Sequence, residues 1–329
     1  MTSAQDYISI RISTLTPNLD LDFDVFVKLG YSDKLILYLK KGDFFEPEQI
    51  LKFKNKNVRK MFINLNDEQN YQNFLDKALA DVIAGVDAEA KAGMACEQSG
   101  KALENLIKNP TQQLAFTKTE VAAENMVKLV SKNTNVLKEI MGRTDEIHSD
   151  PLFRHAIQAA ALATCLAEHL KLKDQEQKDM AVACLMMDIG RLKMPVSYLR
   201  LFLKPLDKMS NEDFTVYKEH PRKSIEMLQD KKYISKEILD LIMHHEERKS
   251  GNGFPQGVKK LNLKMELISL CNLFSQRMIL HNESPDEIIK DMMISQLGNY
   301  EITHLQALKK LLSTQKIIGE KKVDVNEAN

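Results

Sequence analysis

The sequence has no excess of charge of either sign and no long hydrophobic run. Its 329 residues include 46 Lys and Arg against 46 Asp and Glu. Because nucleic acids and anionic membranes attract proteins through a positive field, this balance argues against both a nucleic-acid polymer and a membrane surface as partners. No stretch approaches 18 consecutive apolar residues, so the sequence predicts no membrane-spanning helix.

Cysteine is scarce as well. Cys96, Cys165, Cys184 and Cys271 are scattered, and no two of them have the C-x-x-C spacing of a redox or zinc motif. Three of them lie in apolar helical stretches, where a thiol serves as a small core residue. Such thiols are typical of a reducing compartment, and the first residues contain neither a basic nor an apolar leader segment. We therefore expect a cytoplasmic protein.

The patterns that are present divide the chain into three parts. Residues 1–85 contain alternating apolar residues, as at Ile8, Ile10 and Ile12 and again over 35–39, which is typical of half-buried strands. Helical segments follow these strands. The first part is therefore predicted to be a small mixed α/β domain with a regulatory or interaction role.

Residues 86–145 are predicted to be a helical connector. Ala, Lys, Glu, Leu and Met dominate there, and apolar residues recur at helical spacing between Leu114 and Ile140. A stripe of this kind packs on a neighbouring domain or on a second copy of itself. A homodimer formed through this part is therefore a hypothesis.

Residues 146–329 have a helical pattern almost throughout and contain the residues that could carry chemistry. One apolar helical run ends at Met187-Asp188-Ile189-Gly190. A buried carboxylate requires a partner, because an unpaired buried charge is costly. The histidines that could supply one come before and after Asp188 in the sequence: His155, His220, His244 and His245. This arrangement indicates a metal site assembled from several helices.

These motifs resemble those of the HD-GYP domain, a branch of the HD-superfamily metal-dependent phosphohydrolases that opens cyclic di-GMP. The family's spacing from its first histidine to the aspartate of its His-Asp doublet is matched by His155 and Asp188. The segment 218–221 matches the family's next histidine, after a few extra residues around Leu201 and Phe202. The resemblance implies a mainly α protein, with a C-terminal all-α HD-type domain after the α/β domain and the connector helices.

Further matches bear on substrate binding. Gly251-Asn252-Gly253-Phe254-Pro255 resembles the loop that names the family, with Phe in place of Tyr, which removes a hydrogen bond worth about 1 kcal/mol. Arg191 stands where the family has lysine, so the charge is kept but the geometry differs. By resemblance, Asp188 and Arg191 are the catalytic candidates. Arg191, Gly253, Phe254 and Pro255 are the candidates for substrate binding.

The family's chemistry requires a bridging carboxylate and several histidines that hold two cations, typically iron or manganese, for phosphodiester hydrolysis. Here the histidine of the doublet is Met187, and the family's late aspartate is Asn272. A thioether is a poor ligand for a hard cation, and an amide lacks the carboxylate's charge. By resemblance, one cation would use His155, Met187, Asp188 and Asn272. Only two good ligands remain, so we expect that half of the site to be empty.

The second cation would use Asp188, His220 and the family's His-His pair. Two registers are open: the pair is His244-His245 by inspection, or His245-Glu246 by the gap-free spacing on both sides, which we favour. Glutamate is still a competent ligand for a hard cation, so Asp188, His220, His245 and Glu246 could hold one iron or manganese. The alternative is a protein that binds no metal.

Two functions follow from the resemblance and its departures. The favoured one is a degenerate signalling or interaction module that senses cyclic di-GMP and contacts protein partners. The alternative is a cyclic di-GMP phosphodiesterase working with a reduced one-metal site. Because one cation would have to activate water and neutralise charge alone, we expect its rate to be lower by several orders of magnitude.

Overall fold

The computed structural model describes residues 7–28, 34–56, 58, 60–82, 88–132, 135–147 and 150–319. Contacts between residues divide the chain into two compact units, Met1–Gln98 and Ser99–Asn329. The division falls within one continuous helix, Ala88–Lys108. A separate connector over residues 86–145 stays a prediction.

The first unit contains one antiparallel sheet with the strand order β1-β4-β2-β3. Its strands and helices are β1 (Tyr7–Arg11), β2 (Val25–Lys28), β3 (Leu35–Leu39), β4 (Lys60–Asn64), α1 (Pro47–Asn55) and α2 (Glu68–Val82). Side chains alternate between the faces of a strand, so Ile10, Met61 and Ile63 share one face and pack with Tyr71 of α2. The predicted mixed α/β character is confirmed, although Ile12 lies in a short 3-10 turn after β1.

The second unit is built from helices in the residues described. They are α3 (Ala88–Lys108, which begins in the first unit), α4 (Gln113–Lys132), α5 (Val136–Ile147), α6 (Pro151–His169), α7 (Asp174–Met186), α8 (Asn211–Tyr217), α9 (His220–Leu228), α10 (Lys236–His244), α11 (Leu263–Ser275), α12 (Pro285–Ser295) and α13 (Ile302–Thr314). Three 3-10 segments, Met187–Lys193, Val196–Leu203 and Leu206–Lys208, connect α7 to α8, and a π-helical turn, Gln276–Leu280, follows α11. The predicted mainly α fold is confirmed.

Helices α6 and α7 pack closely because their buried residues are small. Helix α6 begins at Pro151, and the side chain of Asp150 caps it by accepting the Leu152 N–H at 2.9 Å. Its buried stretch includes residues 159–161, all alanine, and α7 adds further alanines at 181 and 183. Small side chains permit a short distance between helix axes. In the part of the chain described here, no helix is both long and apolar enough to cross a membrane.

Candidate metal centre

The turn that presents Asp188 depends on a glycine. Residues Met187–Lys193 form a 3-10 helix that lies against the start of α9. A Cβ atom at Gly190 would lie 2.2 Å from the His220 carbonyl oxygen and 2.5 Å from the Ser224 nitrogen. Gly190 N–H donates to Ser224 Oγ at 2.8 Å, and Ser224 Oγ lies 2.7 Å from the Met187 carbonyl oxygen. Glycine therefore permits the close approach that brings Asp188 beside His220.

Three buried histidines surround Asp188. Its Oδ1 lies 3.4 Å from His220 Nε2 and 3.7 Å from His245 Nε2, and its Oδ2 lies 3.8 Å from His155 Nε2. The histidine side chains are at most 1% exposed, whereas that of Asp188 is 16% exposed. The two carboxylate oxygens therefore face different histidines, and solvent reaches the cluster at the carboxylate.

Backbone carbonyls fix how His220 and His245 carry their protons. His220 Nδ1 lies 2.8 Å from the Tyr217 carbonyl oxygen, and His245 Nδ1 lies 2.6 Å from that of Ile242. A carbonyl only accepts, so each Nδ1 carries the hydrogen, and each neutral ring directs the lone pair of Nε2 towards the other. The two Nε2 atoms are 3.0 Å apart. Two lone pairs beside a carboxylate require a proton or a cation between them, which fits a metal site.

The electrostatics agree with this arrangement. Burial alone would raise the pKa of Asp188, but the close approach of His245 and the charges of the histidines hold it well below its usual range. Burial and the charge of His245 lower the pKa of His220. Burial also opposes protonation of His245, yet the nearby Asp188 raises its pKa. Of this pair, His245 therefore takes up a proton more readily than His220 does.

His155 lies on the other side of Asp188 and has a different partner. Its Nε2 is 3.0 Å from Asn272 Oδ1, and its Nδ1 is 3.1 Å from Ser275 Oγ. Burial lowers the pKa of the His155 ring. Met187, the residue before Asp188, is fully buried. The amide of Asn272 thus occupies the position facing His155 where the resemblance implies a carboxylate.

The two registers of the histidine pair share His245 and differ in whether His244 or Glu246 is the second member. His245 belongs to the cluster with Asp188 and His220, whose ligand atoms lie within 4.8 Å of one another. The Nδ1 of His244, the last residue of α10, is 2.6 Å from the Asp240 carbonyl oxygen of its own helix, outside this cluster. Glu246 is 2% exposed, and its carboxylate accepts hydrogen bonds from Tyr217 at 3.4 Å and Arg248 at 3.5 Å. Glu246 is thus held beside the cluster by other residues.

Arg191 lies between two cavities. Together with Asp188 it lines a small cavity of about 20 Å³, and it also lines a larger one of about 580 Å³. Its guanidinium group stacks over the Phe153 ring at 5.7 Å from the centroid, and its Nη2 is 3.8 Å from Asp150 Oδ2. Arg191 thus lines a cavity together with Asp188, and its role in substrate binding stays a prediction.

The loop of Gly253, Phe254 and Pro255 lies behind His220. Phe254 is buried, with its ring centroid 6.1 Å from that of His220. A Cβ at Gly253 would lie 2.3 Å from the Arg248 nitrogen, so glycine is needed for the loop to approach. Among the described residues that line the two cavities beside Arg191, these three do not occur. The loop thus packs against the ring of His220, a candidate metal ligand, and lines neither of these cavities.

Comparison with known proteins agrees with the fold. Residues 135–268 match the HD domain family. The chain is 29% identical over 124 residues to the cyclic di-GMP phosphodiesterase PA4108 of Pseudomonas aeruginosa, covering 37% of this chain and 29% of that protein. It is 30% identical over 117 residues to the cyclic di-GMP phosphodiesterase response regulator RpfG of Xanthomonas campestris, covering 34% of this chain and 30% of that protein.

One solved structure matches nearly the whole chain. It is Bd1817, an HDG"Y"P protein from Bdellovibrio bacteriovorus, with 29% identity, a TM-score of 0.70, and coverage of 94% of this chain and 100% of that one. The resemblance to HD-GYP proteins is therefore confirmed. The chain spans 29–30% of the length of the two curated relatives above.

Several residues that support the candidate site were not predicted. Glu247 is fully buried, and its carboxylate accepts the backbone N–H groups of Gln256 at 2.6 Å and of Gly257 and Val258 at 3.1 Å each. Ser224 joins the Asp188 turn to α9. The two consecutive glutamates after the histidine pair were a usable signal for Glu247, because an acidic residue beside a glycine-rich loop can accept its N–H groups. Nothing in the sequence distinguishes Ser224 from other helix serines.

Proposed function

We propose that this HD domain binds one iron or manganese ion and recognises cyclic di-GMP without hydrolysing it efficiently, so that the chain acts as a signalling module. The observation that carries the cation is the approach of His220 Nε2 and His245 Nε2 to 3.0 Å beside Asp188, with both Nδ1 atoms committed to carbonyls. Neutral imidazoles held in this way are ready-made ligands. Asp188, His220 and His245 would hold the ion, and Glu246 is close enough to add negative charge to the site.

We propose that the second ion of the family's pair is absent or only weakly bound. His155 Nε2 faces the neutral amide oxygen of Asn272, and Met187 contributes no hard donor. An ion there would have one imidazole, the Oδ2 of Asp188 and an amide oxygen. With two cations, both the attacking and the leaving oxygen are stabilised, so a single ion provides much less of the family's rate enhancement.

Cyclic di-GMP is the proposed ligand because Arg191, which lines a small cavity together with Asp188, could hold a phosphate group beside the proposed cation. A guanidinium group binds phosphate oxygens in a bidentate manner. PA4108 and RpfG are by name cyclic di-GMP phosphodiesterases. A protein partner would then read the nucleotide-bound state, and a homodimer through the helices around residues 86–145 remains part of the proposal.

The test compares the natural chain with the double variant Met187→His/Asn272→Asp. We expect about one tightly bound iron or manganese per natural chain and about two per variant, measured by elemental analysis after dialysis. We expect the natural chain to bind cyclic di-GMP with little turnover and the variant to hydrolyse it faster. Two ions and rapid turnover in the natural chain would overturn the proposal. Arg191→Gln should lower nucleotide affinity while leaving the ion count unchanged.

A one-metal phosphodiesterase is the second candidate, and one observation favours it. Three protein ligands leave coordination positions for water and substrate, and Asp188 is the cluster residue that solvent reaches, with its side chain 16% exposed. Multiple turnovers of cyclic di-GMP by the natural chain with one bound ion, abolished by His245→Ala, would support this candidate over the receptor.

A further inference from the structure

The larger of the two cavities that Arg191 lines has an apolar wall, which the proposed function does not use. It measures about 580 Å³, within the range of small-molecule sites. It lies between the start of α6 and the 3-10 segment Val196–Leu203. Nine of its twelve lining residues are apolar, and the other three are Asp150, Arg191 and Arg200.

The rim of this cavity exposes apolar surface to water. Val196 is 83% exposed, Leu203 46% and Leu192 40%, and all three line the cavity. Single exposed apolar residues are common, but a contiguous group around a cavity is typical of a binding site. This surface would be covered by a ligand with a hydrocarbon body.

The polar groups of the cavity select an anion. The Arg191 side chain is 11% exposed and forms an ion pair with Asp150, in which Nη2 and Oδ2 are 3.8 Å apart, beyond hydrogen-bond distance. A buried guanidinium group gains most from a carboxylate that it can bind with two parallel hydrogen bonds. Arg200, 68% exposed and 3.6 Å from Asp213, adds positive charge at the opening.

A nucleobase would fit these walls poorly. Its edge carries several donors and acceptors, and most would be buried against apolar side chains without partners, which is unfavourable. A hydrocarbon chain has no such groups and gains from the burial of its surface.

The outer wall is anchored to the aromatic residues around the metal centre. Within the segment Val196–Leu203, Leu201 and Phe202 are buried, and the Phe202 ring centroid lies 5.1 Å from that of His220. Because these two side chains are buried, the segment that carries the wall is firmly packed.

We propose that this cavity binds an amphiphilic monocarboxylate, with the carboxylate on Arg191 and the hydrocarbon chain along the wall formed by Phe153, Met194, Val196 and Leu199. The site is distinct in ligand chemistry from the proposed nucleotide function and does not depend on a bound cation. Because both ligands would use Arg191, the carboxylate and cyclic di-GMP should compete.

The test is calorimetric titration of the chelator-treated full chain with dodecanoate below its micellar range. We expect saturable binding of one molecule per chain, and weaker binding by roughly tenfold in Arg191→Gln, which removes the charge-assisted pair. Val196→Asp should weaken binding by a similar factor, because it places a charge on the rim at a position too exposed to disturb folding. The matched control is Ser197→Asp, an exposed neighbour outside the cavity lining, which should bind like the natural chain.

Three results would overturn the inference: no saturable binding, equal binding of dodecyltrimethylammonium, or equal losses in Val196→Asp and Ser197→Asp. Because no cation or nucleotide is present in this titration, these outcomes leave the proposed cyclic di-GMP function untouched. A loss of cyclic di-GMP binding in a separate experiment would in turn leave the dodecanoate result standing.

Discussion

Replacing His245 with alanine should remove the cation, whereas the same change at His244 should not. His245 is fully buried, its Nε2 lies 3.0 Å from that of His220, and it is one of three ligand-type residues in the cluster. His244 is half-buried and is bonded through Nδ1 to its own helix. The two residues are adjacent and identical in type, so each variant controls for the other.

The magnitude follows from the number of ligands. Loss of a residue that merely orients a metal ligand costs about 10–100-fold in metal affinity. Loss of one of three direct ligands should exceed this range, so we expect at least a ~100-fold decrease for His245→Ala, which corresponds to about 2.7 kcal/mol. His244→Ala should change the affinity by less than about threefold, because the loss of a ring outside the cluster removes no ligand.

The assay is competitive titration of the metal-free chain with Mn²⁺ against a fluorescent chelator, with circular dichroism to check that each variant is folded. Equal losses in the two variants, or a larger loss in His244→Ala, would refute the assignment of His245 rather than His244 to the cation. Equal losses would support the His244-His245 register, in which both rings are ligands.

Two further predictions concern the support of the site. Gly190→Ala should lower the free energy of unfolding in urea by about 1–3 kcal/mol or more, because its Cβ would meet the His220 backbone at 2.2 Å. As a control, Gly142→Ala, whose Cβ would have no atom within 4 Å, should raise the free energy of unfolding by up to ~1 kcal/mol. A Gly190→Ala variant as stable as the natural chain would contradict the close packing. Glu247→Ala should increase tryptic cleavage after the exposed Lys259 by roughly 30-fold, since about 2 kcal/mol of charge-assisted hydrogen bonding to three loop N–H groups is lost. The exposed Glu226→Ala should be cleaved like the natural chain, and no difference between the two would show that the carboxylate does not hold the loop.

The sequence allowed the fold class and the candidate residues around Asp188 to be predicted, because both depend on local pattern and spacing. His155, His220 and His245 do lie around Asp188 in the structure, while their role as metal ligands stays a prediction. The direction of neighbouring side chains was harder to predict. Successive residues of a helix point about 100° apart, so the end of α10 decides whether His244 or Glu246 lies with His245 towards Asp188.

The position of the Phe254 loop and the larger cavity depend on tertiary packing, so the sequence alone could not predict them. The loop of Gly253, Phe254 and Pro255 was expected to bind substrate, and that role stays a prediction, but the structure places Phe254 against the His220 ring. A phenylalanine without a hydroxyl gains more from such burial than from exposure. The extra residues around Leu201 and Phe202 were visible in the sequence, yet the cavity beside their segment requires α6 and the 3-10 segments to meet.

Ser224 has a consequence for how the centre could move. Its hydroxyl oxygen contacts Gly190 and lies 2.7 Å from the Met187 carbonyl and 3.1 Å from that of His220, so it fastens the Asp188 turn to the first turn of α9. Asp188 and His220 should therefore travel together as one piece, whereas His245 sits at the end of another helix. Any loosening of the centre would then begin as a widening of the gap to His245, which makes the end of α10 the place where metal release and reloading would be controlled.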